Sequence, residues 1–223
     1  TMLKLYGFSI SPNHNKVKLA LLEKGIEFEE VMQSPSQEES FLKRSAMGKI
    51  PLMEVDGQFF AESSAMLDYL ENAFPAAPLL PADPYERAKC REMMQIIELY
   101  VSGAGTAADA ELINAAFFGA PISEDAKNAA EKTIQRGLNA VARLAKFAPF
   151  IMGSKFTQAD CVAFPRLGFV ALLTAKVLGK DLTASIPGLA EYMKYMSDRP
   201  AVQKLIADQQ KAMEIFMAGQ KKT

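Results

Sequence analysis

The chain has 223 residues, 49% of them hydrophobic and 23% charged, with a formal net charge of −1. This composition suits a folded protein with a sizeable core, arranged as one large domain or two small ones. A charge so close to zero excludes a bulk attraction to nucleic acid or anionic lipid, and neither is an expected partner.

No apolar run approaches the roughly 20 residues needed to span a bilayer. The opening Thr1-Met2 reads as an addition ahead of a native start, and no charged-then-apolar leader precedes the first strand. A cytoplasmic address is therefore expected. Cys90 and Cys161 are far apart and read as buried free thiols. His14 is the sole histidine, so neither a metal centre nor a hydrolytic base with its orienting partner is expected.

In chain order, "MLKLY" predicts a first strand. A helix follows from Pro12 to Lys24, with Val17, Leu19, Ala20, Leu21 and Leu22 apolar and Lys16, Lys18 and Glu23 turned outward. Gly25 stops it. "IEFEEV" alternates as a second strand, and residues 37–46 form a short polar helix. "IPLMEVDGQFFAE" reads as two strands around Asp56-Gly57, a pair favoured in type I′ turns. "SSAMLDYLENAF" is the next helix. The order is β-α-β-α-β-β-α, giving an α/β domain over residues 1–75.

"FPAAPLLPADP" carries four prolines and cannot be regular helix, so 76–84 reads as a linker. Residues 85–223 are helical almost throughout and form an all-α domain. One helix runs from about Tyr85 into the 110s. A second runs from about Ser123 to Phe147, with Ile134, Leu138, Val141 and Ala145 on one face. Others begin near Thr157, Pro187 and Pro200.

Three local features carry chemistry. Ser11 followed by Pro12 is a strong helix start, and a helix N-terminus offers free N–H groups and partial positive charge to a thiolate. In "GKIPLMEV", Pro51 opens a strand. A cis bond before it would turn the Ile50 backbone outward to pair with an extended peptide. In "AESSAML" a strand hands over to a helix at Glu62-Ser63, a place suited to a carboxylate and, through Glu62, to an ammonium group.

Together these segments resemble the cytosolic glutathione transferase family, in a serine-type class of bacterial character. "LYGFSISPNHNKVKLALLEKGI", "GKIPLMEVDG" and "ESSAMLDYLE" resemble its opening strand and helix, its cis-proline strand pair and its glutathione motif. "FTQAD" resembles its capping box, and "IPGLAEYMKYMSDRPAVQKL" its closing helices. The resemblance implies a thioredoxin-like domain followed by a helical one, a homodimer, and an enzyme that conjugates glutathione to small, mostly apolar electrophiles, as in detoxification. Glutathione is then a co-substrate, and no resident cofactor is expected.

The same resemblance implies roles for single residues. Ser11 is the catalytic hydroxyl. Lys49, Ile50, Pro51, Glu62 and Ser63 bind glutathione. Phe8, Ile10 and Tyr100 are candidates to line the acceptor pocket, while Met93, Met94 and Ile97 read as core. Ser9 shares the loop and competes with Ser11, and His14 reads as a helix-surface residue. Ser45-Ala46 stands where the family usually has Asn-Pro. A glutathione-dependent isomerase or peroxidase is the alternative, and a non-catalytic binding protein of the same fold is a more distant one.

Overall fold

The computed structural model describes residues 1–101 and 107–220, with side chains at 1–101 and 110–220. It divides into two compact units, Thr1–Leu79 with Ser197–Thr223, and Leu80–Met196. The unit boundary falls inside the predicted linker. The last helix, which composition alone assigns to the helical domain, folds with the first unit.

In the first unit, alternation in "LKLYG" produces strand β1 (Leu3–Gly7), whose odd positions are buried. Helix α1 (Pro12–Glu23) crosses back to strand β2 (Glu29–Met32), which pairs parallel with β1. A short helix α2 (Glu39–Leu42) precedes strands β3 (Leu52–Val55) and β4 (Gln58–Ala61). Asp56 and Gly57 join them with φ of 48° and 84°, the double positive φ that a type I′ turn requires. Helix α3 (Ser63–Ala73) follows. The sheet order is β2-β1-β3-β4, with β3 antiparallel to both neighbours. Leu5, Leu19, Leu21, Leu52, Met53 and Met66 are wholly buried at its centre.

The polar face expected of α1 is wrong in two places. Lys16 and Lys18 are each only 1% exposed, not turned outward, because each ammonium finds oxygen partners within the fold. His14, expected on the surface, is fully buried as well. Helix α9 (Pro200–Gln220) supplies part of this pairing: Asp208 lies 2.7 Å from Lys18 Nζ. At the other end of α1, Arg199 donates two parallel bonds to Glu23 at 2.8 and 2.7 Å. A further buried pair closes the unit. Lys24 Nζ stands 3.3 Å from Glu71 and donates to the Ala77 carbonyl at 2.6 Å, while Glu71 accepts the Leu79 N–H at 3.0 Å.

In the second unit, Asp83 accepts the Glu86 N–H and Pro84 takes the first helical position, so helix α4 spans Pro84–Ile96. It continues into a π-helical turn, Ile97–Val101. Residues 102–106 of the long predicted helix lie outside the described residues. Helices α5 (Ala107–Phe118), α6 (Glu124–Leu144), α7 (Gln158–Leu178) and α8 (Leu189–Ser197) complete the unit, with a 3-10 turn at Leu182–Ser185. Met93 and Ile97 are wholly buried and Met94 nearly so, as expected of core. Gly137 lets α6 approach the π-helical turn closely, since a Cβ there would lie 2.4 Å from the Tyr100 carbonyl oxygen.

Thr157 and Asp160 form the predicted capping box of α7. The buried Asp160 carboxyl also accepts from the Ile151 N–H and the Tyr192 hydroxyl, at 3.0 and 2.9 Å. Burial pushes its pKa up to about 6, against the pull of these donors. By length and composition α7 is apolar enough to cross a bilayer, although no unbroken apolar run announces it. Most of its apolar stretch is buried in the core of this unit, which is the ordinary setting of such a helix.

Candidate functional site

Strand direction alone gathers three separated segments of the first unit. β1 runs antiparallel to β3 with Tyr6 opposite Leu52, and β3 runs antiparallel to β4 with Leu52 opposite Ala61. The end of β1, the start of β3 and the end of β4 therefore lie at one end of the sheet. The loop bearing Ser11, the Ile50-Pro51 pair and the Glu62-Ser63 pair all emerge there.

Ser11 is the N-cap of α1, with φ −68° and ψ 123°. Its Oγ accepts the His14 N–H at 3.3 Å, and its carbonyl accepts the Asn15 N–H at 2.9 Å. Among the described residues nothing accepts the Ser11 hydroxyl proton. Ser9 differs. It is buried, its Oγ accepts from Lys18 Nζ at 3.2 Å, and its carbonyl accepts from Asn15 Nδ2 at 2.8 Å. The two serines of the loop are thus sorted: Ser9 anchors it from below, and Ser11 keeps a proton to give.

Below the loop, Glu30 stands 2.7 Å from Lys18 Nζ and 3.3 Å from His14 Nε2. Partial burial would raise its pKa, but the hydrogen bonds and charges of His14 and Lys18 outweigh that and hold it at about 2. Glu30 is therefore an anion throughout the physiological range and fixes the base of α1. Tyr6, also on β1, donates to Glu54 at 2.5 Å. This bond, reinforced by burial, pushes its pKa up to about 12. Its proton is committed to Glu54.

The Ile50–Pro51 peptide is cis. Ser45, in place of the family's usual Asn, is buried and donates its hydroxyl to the Lys49 carbonyl at 2.8 Å, bracing the turn ahead of it. Pro51 is buried, Ile50 half-buried and Lys49 exposed. Among the described residues none pairs with the Ile50 backbone, so its N–H and C=O remain open to an added strand.

Glu62 occupies the N-cap position of α3 with φ 70° and ψ 110°. For a residue with a Cβ this is a strained backbone, of the kind retained where a site needs it. Its side chain is exposed and makes no cap bond. Ser63 opens the helix, and its Oγ accepts from Lys16 Nζ at 3.2 Å. Lys16 is the residue that sequence reasoning missed. A lysine set among apolar positions only five residues past the cap was the available signal.

Phe8 and Ile10, expected to line an acceptor pocket, are half-buried in the Ser11 loop. Tyr100 belongs to the second unit, where it lies exposed on the π-helical turn.

The glutathione S-transferase N-terminal domain matches residues 5–78, and the C-terminal domain of the same family matches residues 124–194. A glutathione S-transferase of Pseudomonas putida is 37% identical over 216 residues, 97% of this chain and 96% of that protein. A maleylacetoacetate isomerase of Dictyostelium discoideum is 38% identical over 99 residues, 42% of this chain and 45% of its own length. The solved structure of a glutathione S-transferase from Methylobacterium radiotolerans, in complex with glutathione sulfonate, matches with a TM-score of 0.74 at 26% identity. It covers 92% of this chain and 94% of that one.

Proposed function

Because the chain belongs to the glutathione S-transferase family, we propose that Ser11 activates the thiol of glutathione for attack on a small, mostly apolar electrophile. Conjugation of glutathione is the activity of this enzyme. The observation that carries the assignment to Ser11 is its uncommitted hydroxyl proton at the N-terminus of α1. A free thiol has a pKa of about 8.5, and lowering it by two units takes about 2.7 kcal/mol of preference for the anion. One hydroxyl donating to sulfur, with the helix N-terminus behind it, is of that size. The thiol proton leaves to solvent and a carbon–sulfur bond forms, while the electron pair of the bond broken goes to the departing halide, to the opened epoxide oxygen or to the isothiocyanate nitrogen, which then takes up a proton.

Around that sulfur, the cysteinyl unit pairs with the Ile50 backbone beside Pro51, and Lys49 faces the glycyl carboxylate. Glu62 and Ser63 hold the γ-glutamyl end. Phe8 and Ile10, on the Ser11 loop, meet the acceptor. Turnover over epoxides, aryl halides and isothiocyanates tests the reaction class, and absence of conjugation with all of them would refute it; reduction of hydroperoxides instead would point to the peroxidase reading. Isomerisation of a maleyl compound is the second reading, favoured by the local identity to a maleylacetoacetate isomerase. A cytoplasmic, detoxifying role accompanies the first.

Two expected results follow from this reading. Ser63→Ala weakens glutathione binding by roughly 1–3 kcal/mol, the usual cost of a lost charge-assisted partner. Titration calorimetry on both proteins measures it, and equal affinities would remove Ser63 from the site. The family also favours a two-fold homodimer. Light scattering at micromolar concentration should give about twice the chain mass, and a monomer that still turns over glutathione would end that idea.

A further inference from the structure

We propose that Lys16, buried in α1, is a positioning residue that makes the site selective for the free α-carboxylate of a γ-glutamyl group. The proposal rests on the reading of Ser63 as the carboxylate donor. Lys16 is 1% exposed, and its ammonium lies 3.2 Å from Ser63 Oγ and 2.8 Å from Ser64 Oγ. An ammonium has donors only, so both serine oxygens accept from it. A hydroxyl that accepts on one side must place its single proton elsewhere. The Ser63 proton is thereby turned away from Lys16.

The consequence is directional. At the first position of α3 the Ser63 hydroxyl joins the free N–H groups of the helix start, which attract an anion. The charge of Lys16 stands directly behind them, in surroundings where screening by water is weak. Next to them Glu62, exposed and held at φ 70°, is placed for the opposite charge. An amino-acid head group carries an anion and a cation on one carbon. A site with Lys16 behind the hydroxyl and Glu62 beside it discriminates that zwitterion from an amide or a simple thiol. Lys16 touches no reacting atom.

The test compares glutathione with γ-aminobutyryl-cysteinyl-glycine, which lacks only the α-carboxylate. Lys16→Met should raise the Kd for glutathione about tenfold or more, as loss of a hydrogen bond to a charged group does. It should raise KM while leaving kcat within about twofold. For the truncated peptide the two proteins should bind alike, and Lys16→Arg should recover most of the affinity for glutathione. Equal glutathione affinity in wild type and Lys16→Met overturns the proposal. So does an equal loss for both ligands, which marks a merely structural role. Should Lys16→Met not fold, Lys16→Gln keeps N–H donors without the charge, and the same ligand comparison decides. A wild-type protein that binds both ligands equally sinks the reading of Ser63 itself, a different failure.

Discussion

Ser11→Ala should raise the pKa of the bound glutathione thiol by roughly one to two units, the worth of one hydrogen bond to an anion. At neutral pH, kcat for conjugation then falls roughly 3–25-fold, because less of the bound thiol is ionised. The sign of the pH effect follows directly. A thiol with a raised pKa ionises later, so the activity profile moves to higher pH, and the deficit shrinks as both proteins approach full ionisation. The fold should survive, since loss of the cap bond to His14 costs about 1 kcal/mol. Ser9→Ala is the control, because that hydroxyl is engaged with Lys18. Thiolate absorbance of the glutathione complex against pH is the measurement. A titration unmoved by Ser11→Ala but shifted by Ser9→Ala would reverse the assignment.

The largest loss of stability should come from a residue far from any reacting atom. Glu71→Ala leaves the Lys24 ammonium, whose side chain is 1% exposed, with the Ala77 carbonyl but no counter-charge, and also removes the acceptor of the Leu79 N–H. Removing one partner of a buried pair costs about 3–5 kcal/mol, a large share of the 5–15 kcal/mol that holds a typical domain. Replacing both partners, as in Lys24→Met with Glu71→Leu, should recover much of it, because the uncompensated charge is gone. Urea unfolding of the three proteins measures this. A Glu71→Ala protein within 1 kcal/mol of wild type would show that the Ala77 carbonyl and water suffice for Lys24.

These two sites also differ in how far the sequence exposes them. Ser11-Pro12, Asp56-Gly57 and Thr157 to Asp160 announce themselves because each works within four residues, where capping and turn chemistry is local. The cluster beneath them is silent for the opposite reason. Lys16 meets Ser63 and Ser64 from 47 and 48 residues away, and Lys18 meets Asp208 across 190. Helical periodicity assigns lysines to water by default, and only tertiary partners override that. The same blindness misplaced His14, whose ring lies against Gly7, where a Cβ would fall 2.4 Å from Nδ1. It also hid the attachment of α9, since nothing in "PAVQKLIADQQ" names Lys18 and nothing in "SDRP" names Glu23. The π-helical turn had no signal at all.

The attachment of α9 has a bearing on how the chain is made. A ribosome delivers Lys18 and Glu23 early, yet Arg199 and Asp208 emerge more than a hundred residues after Leu79. At about 5–20 residues per second, that delay is on the order of ten seconds. During it the nascent first unit holds a sheet, α1 and α3, with one of the two carboxylates beside Lys18 still unsynthesised. The N-terminal piece therefore waits, incompletely neutralised, for the synthesis of α9. Emergence of α9, rather than of residue 79, is the moment at which the loop carrying Ser11 acquires its full foundation.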